Sequence, residues 1–276
     1  MVATPIGNLA DITLRALHVL QIVDAIACED TRHSQALLRA YGIDKTGAQL
    51  LAVHQHNEAG AAQAVIERLR QGQRVAYASD AGTPAISDPG ARLVAAVRLA
   101  GLPVIPLPGA SSVTTALSIA GIGGEGAQDG AFVFAGFLPS KGGERAGAIE
   151  ALRLEGRSVV LLEAPHRIEA LAAALAALGP RVLTVGRELT KQFEEIATIS
   201  AAHFPHWLAE DANRLRGEFV VVLHPVPSGN PDAPDDRVLK LLLAELPLKT
   251  AVKLSAEITG QARNTLYELA LNLKKD

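Results

Sequence analysis

The sequence predicts an α/β protein: an open parallel sheet wrapped by helices, a second α/β domain, and a small helical tail. Three observations lead there. Short apolar runs alternate with amphipathic helical patterns through the first third of the chain, which is the rhythm of right-handed βαβ units. Only ten of the 276 residues are aromatic, while Ala, Leu and Val dominate, which favours helices on aliphatic strands over an all-β sandwich. A stretch with four prolines at 225–236 (PVPSGNPDAPDD) sets apart three short helical patterns and reads as a linker.

In order, the apolar runs 24–28, 49–53, 74–79 and 103–107 are too short for helices and are bounded by polar, Gly or Pro residues, so they read as buried strands. Helical patterns occupy 13–22, 32–41, 58–71 and 91–100, the last punctuated by Pro89 and Gly101 as start and stop signals. A Gly-rich linker follows at 121–130 (GIGGEGAQDG). It matches G-x-G-x-x-G by the letter, but it leaves a helix and precedes a strand, the reverse of a dinucleotide fingerprint. Strand signals resume at 131–137, 157–163, 181–187, 195–199 and 218–223, with long helical stretches only near 145–154 and 165–178. Some antiparallel pairing is therefore expected. The tail reads as helices 237–246, 248–258 and 262–273, with Thr259-Gly260 breaking the last two into a helix-turn-helix outline. Ala262, Leu266, Leu269 and Leu273 share one stripe of the final helix and should form its core. The expected domains are 1–120, 131–225 and 237–276.

Composition excludes several classes. Hydrophobic residues are 49% and charged ones 20%, which supports a sizeable core and argues against global disorder. The lone Cys28 rules out an internal disulfide and fits a reducing compartment. No basic and apolar leader opens the chain, and no run of 18 uncharged apolar residues occurs, so the expectation is a soluble cytoplasmic protein. The net charge of −3 does not announce a nucleic-acid binder. From residue 237 onward, however, seven Lys/Arg stand against four Asp/Glu, leaving a local +3 against −6 elsewhere. One Cys cannot build a zinc site. His54 and His56, two apart after a strand, read as a loop-end pair that binds substrate or is simply exposed, so no metal is expected.

The informative stretch is 79–90, SDAGTPAISDPG. It joins a strand to a helix, where ligands bind in open α/β sheets. Gly82 would let backbone approach a ligand, and Pro84 would stiffen the turn. The segment 106–112 (PLPGASS) repeats the arrangement, with Ser111 or Ser112 either capping a helix or offering a hydroxyl. Ionisable residues gather at other strand ends: Glu29, Asp30, Arg32 and His33 after Cys28, then Glu163, His166 and Arg167, then Arg187, Glu188 and Lys191. Such clusters at the strand ends of both domains point to a site between them.

These residues carry a resemblance. The segments 4–9 (TPIGNL), 29–32 (EDTR) and 79–90, with 134–139 (FAGFLP), 187–191 (RELTK) and 217–220 (GEFV), resemble signature segments of the ribosomal RNA small subunit methyltransferase I family. This is a bacterial 2′-O-methyltransferase family of the tetrapyrrole methylase superfamily, and the likeness runs from about residue 2 to the C-terminus. It implies a two-domain, tetrapyrrole-methylase-like (class III) methyltransferase with a helix-turn-helix-like tail. It also implies S-adenosylmethionine folded in the cleft between domains, a decoding-region cytidine of 16S rRNA as acceptor, and a homodimer. Pro5, Gly82, Thr83, Pro84, Ile86, Ser111 and Ser112 would hold the cofactor from one side. Gly136, Phe137, Leu138, Glu163, Gly217 and Glu218 would approach from the other. Members carry a fuller first strand than residues 1–3 provide here, which predicts a sheet edge open to a second copy. The loop after Pro139 holds one Lys and one Arg, fewer basic residues than the resemblance predicts.

Methyl transfer from a sulfonium is an in-line displacement that rests on alignment. A ribose hydroxyl also needs a base, or a cation to stabilise its alkoxide. Asp30 or Glu188 is the expected base, with Lys191 beside it, although these carboxylates could equally serve only to orient arginines. Glu29, Arg32, His33, His166, Arg167 and Arg187, with Arg263 and Asn264 of the tail, are the expected RNA contacts. The competing readings are a cobalamin-pathway tetrapyrrole C-methyltransferase and a non-enzymatic helix-turn-helix regulator. The tail and the TPIGN and RELTK segments argue against the first. Two large α/β domains argue against the second.

Overall fold

A computed structural model describes residues 1–54, 57–123, 130–226 and 236–273, without the side chains of 236, 237 and 272. They fall into two compact units, one of residues 1–122 and 130–226 and the other holding the C-terminal helices. His56, Lys274 and most of both expected linkers lie outside the described residues.

The larger unit carries two sheets. In the first, β1 (Ala25–Cys28), β2 (Leu50–Ala52) and β3 (Val75–Ala78) run parallel in the order β2-β1-β3. Helices α1 (Leu14–Ile22) and α2 (Thr31–Ala40) pack on one face through Ala16, Leu20 and Leu38. Helices α3 (Glu58–Arg70) and α4 (Gly90–Leu99) cover the other through Val65, Ile66, Leu93 and Val97. Every residue of β1 is buried, which is why it reads as an unbroken apolar run. Thr13 starts α1 by accepting from the Ala16 amide at 3.0 Å. Gly101, at φ +75°, ends the run after α4.

Two expectations are corrected here. Val2 bridges Ala78 on one side and Leu107 on the other and is fully buried. The first strand is therefore interior, and the open edge that suggested a second copy is absent from that position. The expected strand at 103–107 contributes only a bridge at Leu107, whose amide donates to the Met1 carbonyl at 2.8 Å, and Ile105 is 69% exposed. Its neighbour is the short segment 1–3, which supports no longer ladder.

The second sheet holds β4 (Phe132–Gly136), β5 (Ser158–Glu163), β6 (Val182–Arg187), β7 (Glu195–Ser200) and β8 (Phe219–Leu223), in the order β4-β5-β8-β6-β7. Only the β4–β5 pair is parallel. Central β8 is buried on both faces and alternates between two cores. Phe219, Val221 and Leu223 join one core; Val220 and Val222 meet Val113 and Ala116 of α5 (Ser112–Ile119) in the other. Full burial of such side chains contributes roughly 1.5–3 kcal/mol each, and this second contact seats α5 against the sheet. Helix α6 (Gly142–Arg153) and α7 (Ile168–Leu175) fit the expected stretches, α7 being flanked by 3-10 turns. The six-residue α8 (Phe204–Ala209) is too short for a helical period to show.

The smaller unit comprises α9 (Asp236–Glu245), α10 (Leu248–Thr259) and α11 (Arg263–Leu273) around Leu239, Val252, Leu266 and Ala270. Gly260 adopts the left-handed conformation that closes α10. Leu269 and Leu273 pack against this core as expected. Ala262 does not: it precedes α11 and is exposed, and Ala270 takes its place. Among the described residues no helix is long and apolar enough to cross a membrane.

Candidate cofactor cleft and active site

Two hollows adjoin where residues of both sheet regions of the larger unit meet, and a third adjoins them over the loop after β3. The first, of about 310 Å³, is lined by Ile6, Phe137, Leu162, Glu163, Leu189 and Glu218, among others. The second, of about 140 Å³, is lined by Glu29, Gly82, Thr83, Ile86, Ser111 and Ser112, and it shares Ala81, Ser112 and Leu162 with the first. The third, of about 580 Å³, lies over Ala85, Ile86, Ser87 and Asp88, the last three shared with the second.

The loop after β3 is built to hold this shape. Asp88 accepts from the Ala85 amide at 2.7 Å, the Gly90 amide at 2.7 Å and the Tyr77 hydroxyl at 3.0 Å. These bonds hold Ala85 at φ +72°, a conformation costly for a residue with a Cβ. Gly82 sits at φ +80° and exchanges two backbone bonds with Thr4 at 3.0 and 3.1 Å. The TPIGN loop in turn docks on the RELTK turn, where a Cβ on Gly7 would lie 2.4 Å from Lys191 Cγ and 3.2 Å from the Leu189 carbonyl.

A model of the Tetrapyrrole (Corrin/Porphyrin) Methylases matches residues 1–205, and one of the RsmI C-terminal HTH domain matches residues 229–274. The chain is 46% identical over 275 residues to the Ribosomal RNA small subunit methyltransferase I of Escherichia coli O157:H7, covering 98% of this chain and 93% of that one. For the protein of the same name from Pseudomonas aeruginosa, identity is 45% over 277 residues, with 98% and 95% covered. The chain belongs to the ribosomal RNA small subunit methyltransferase I family. Its fold is that of the tetrapyrrole methylases, class III methyltransferases. It is similar to a cobalt precorrin-4 methyltransferase (TM-score 0.58, 18% identity, 81% of this chain and 92% of that one). It is also similar to a uroporphyrin-III C-methyl transferase from Thermus thermophilus complexed with S-adenyl homocysteine (TM-score 0.53, 18% identity, 80% and 94% covered).

S-adenosylmethionine is the cofactor of this methyltransferase family, and the cleft fits it. A hollow of about 310 Å³ lies within the usual small-molecule range of roughly 300–1,000 Å³. Its apolar wall of Phe137, Leu162, Leu189, Phe219 and Val220 suits an aromatic base. Glu163 supplies the polar signal. Its side chain is fully buried, Oε1 accepts from the Ala164 amide at 2.9 Å and pairs with Arg167 Nε at 3.0 Å, and Oε2 finds no partner among the described residues. A buried carboxylate oxygen without a donor is costly, and the amine and hydroxyls of an adenosyl group are suitable donors.

Of the expected cofactor residues, Gly82, Thr83, Ile86, Ser111 and Ser112 line the smaller hollow, and Ser112, Phe137, Glu163 and Glu218 the larger. Ser111 stands at the N-cap of α5 without a side-chain capping bond, so helix capping does not account for it. Pro5 and Pro84 are buried behind the lining. Gly136 (φ +63°) and Gly217 (φ +90°) act as bends beside it. The Leu138 side chain is 6% exposed and packs into the core of the second sheet rather than lining either hollow.

The expected catalytic carboxylates are already committed. Asp30 caps α2 and binds Arg32 at 2.8 Å, and the Arg32 guanidinium and amide hold its carboxyl far below the usual range. Glu188, at φ +50°, accepts from Lys191 Nζ and the Glu218 amide, both at 2.8 Å. Burial is the largest single influence on Glu188 and pushes it up, but Lys191 and the Glu218 amide outweigh it and leave it lowered. Lys191 also reaches Glu218 at 2.9 Å. Each carboxylate is thus paired with a cation, Asp30 with an arginine and Glu188 with a lysine.

Among the expected RNA contacts, His33, His166 and Arg32 are exposed, as are Arg263 and Asn264 in the smaller unit. Arg167 is half-buried and donates to the Leu138 carbonyl. Arg187 is corrected. It is 7% exposed, and its donors go to the carbonyls of Arg216, Phe193 and Asn213. Glu29 lines the smaller hollow rather than the outer surface. No cluster able to hold a metal ion occurs among the described residues. The residues missed were Tyr77, Asp80 and Asp88. The signal for Asp88 was its place two residues before Gly90, where a carboxylate turns back to an amide.

Proposed function

We propose that the chain methylates the ribose 2′-hydroxyl of a decoding-region cytidine in 16S rRNA, acting in the cytoplasm on the small ribosomal subunit as a homodimer. The observation that carries this reading is identity of 45–46% across both the methylase region and the tail with small subunit methyltransferases. The tetrapyrrole alternative rests on fold relatives at 18% identity, and nothing particular to this site favours it.

S-adenosylmethionine, when bound, supplies a methyl group on a sulfonium. The chain's own residues supply placement. Glu163 and the wall of Phe137, Leu162 and Val220 would receive the adenosyl group; Gly82, Thr83, Ser111 and Ser112 would receive the remainder. Rigid seating of donor and acceptor accounts for much of the acceleration such a site needs. Lys191, held by Glu188 and Glu218 at the rim, offers positive charge to the acceptor's backbone. Small subunits from cells lacking the gene, incubated with the protein and labelled cofactor, should gain label on one cytidine ribose. Label entering a porphyrinoid and not the subunits would reverse the assignment.

The three-helix tail is proposed to dock RNA and to be dispensable for cofactor binding. Arg263 and Asn264 are exposed on it, and it carries the chain's basic excess. A chain ending at Val226 should bind S-adenosylmethionine normally by calorimetry, yet show an RNA KM raised about tenfold or more and a shallower salt dependence, because fewer counterions are released. Unchanged RNA affinity with an earlier melt would make the tail structural only.

A further inference from the structure

We propose that Glu29 is the proton acceptor for the ribose 2′-hydroxyl, standing where the cofactor cleft meets the outer hollow. This rests on the 2′-O-methylation reading. The smaller hollow shares Ala81, Ser112 and Leu162 with the cofactor cleft and Ile86, Ser87 and Asp88 with the outer one. It is the chamber in which an acceptor entering from outside meets a donor lying in the cleft. Glu29 lines that chamber, whereas the carboxylates of Asp30 and Glu188 are each tied to a cation.

Glu29 follows β1 directly. Its Oε1 accepts from the Asp80 amide at 3.1 Å, which fixes the side chain at the sheet's edge. Asp80 and Asp88 face it from the loop after β3, His33 from α2, Cys28 from β1 and Tyr77 from β3. Burial raises the Glu29 carboxyl, the Asp80 amide opposes this, the Asp80 and Asp88 carboxylates add to the rise, and His33 opposes it, leaving the group raised. A carboxylate raised above its ordinary range is a stronger base for removing a hydroxyl proton. In the step, the 2′ oxygen forms the new O–C bond as the C–S bond breaks and its electron pair stays on sulfur. The hydroxyl proton passes to Glu29 and then to water, so charge and atoms balance without a further reagent.

The test is Glu29→Gln, which keeps an acceptor for the Asp80 amide. With small subunits as acceptor, kcat should fall about 100-fold or more, the usual contribution of a general base. Calorimetric affinity for S-adenosylmethionine and the RNA KM should stay within about threefold, the pattern of a contact made in the transition state. The wild-type kcat should rise with pH through a carboxylate titration and level off, and the variant should lose that limb. If the variant binds the cofactor much more weakly, Glu29 is a cofactor ligand and the proposal fails. If kcat is unchanged, it fails as well. Should Glu29→Gln not fold, Glu29→Asp must keep the pH limb at a lower rate, and its loss overturns the proposal. A wild type inactive on small subunits would instead defeat the methylation reading itself.

Discussion

Gly82→Val should weaken S-adenosylmethionine binding by roughly 30- to 100-fold, about 2–3 kcal/mol, while the protein stays folded. Gly82 holds φ +80°, where a β-branched residue is a steric outlier. Its Cβ would lie 3.2 Å from Ile6 Cγ2 and 3.8 Å from the Ala110 carbonyl. Ile6 lines the larger hollow and Gly82 the smaller, so relieving the strain deforms both walls. The damage travels through Ile6 and the Thr4 pairing, not through a side chain projecting at the ligand as the sequence suggested. Asp88→Ala should act in the same direction by releasing Ala85. Gly101→Val provides the control: φ is +75° but a Cβ there meets nothing within 4 Å, so the melt should fall and the affinity should not. Equal affinities in Gly82→Val and wild type would show that this loop does not hold the cofactor.

Much of the fold was legible because its strands are buried on both faces and its helices on one. The run 24–28 could only be a covered strand, and Thr13, Pro89, Gly101 and Gly260 marked ends that the structure keeps. What failed were places decided by distant partners. Residues 103–107 are apolar like β1 but include Pro103 and Pro106, which cannot donate to a ladder, and their neighbour is the short segment around Val2. Ala262 has the right spacing, yet α11 begins one residue later.

The site divides in the same way. Loops such as 79–90 announce themselves through Gly, Pro and Asp at a strand end. Whether a charged residue faces solvent, a cavity or a carbonyl is set by tertiary pairing that no local pattern encodes. Asp30 and Glu29 are adjacent in sequence and opposite in role: one caps a helix at the surface, and the other lines a hollow.

Arg187 is the sharpest instance, and Arg187→Ala should destabilise the protein by about 3–5 kcal/mol, the usual cost of removing one partner from a buried charged network. Its guanidinium donates to the Arg216 carbonyl at 2.8 Å, the Asn213 carbonyl at 2.7 Å and the Phe193 carbonyl at 3.2 Å. Glu195 lies 3.7 Å away and is shared with Arg214 at 2.7 Å, whose guanidinium stacks 4.3 Å over Trp207. Truncation orphans three carbonyls at once, each costing about 1–3 kcal/mol where it stays dry. At roughly 2–4 °C per kcal/mol for a chain of this order, the melting temperature should drop by about 6–20 °C. Arg187→Lys keeps the charge but loses the planar fork that serves three acceptors, so it should fall between the two. The residues bridged by Arg187 flank the turn that carries Glu188 and Lys191, so activity should decline with stability. An RNA-gripping Arg187 would behave differently: the melting temperature would hold and only the RNA KM would rise.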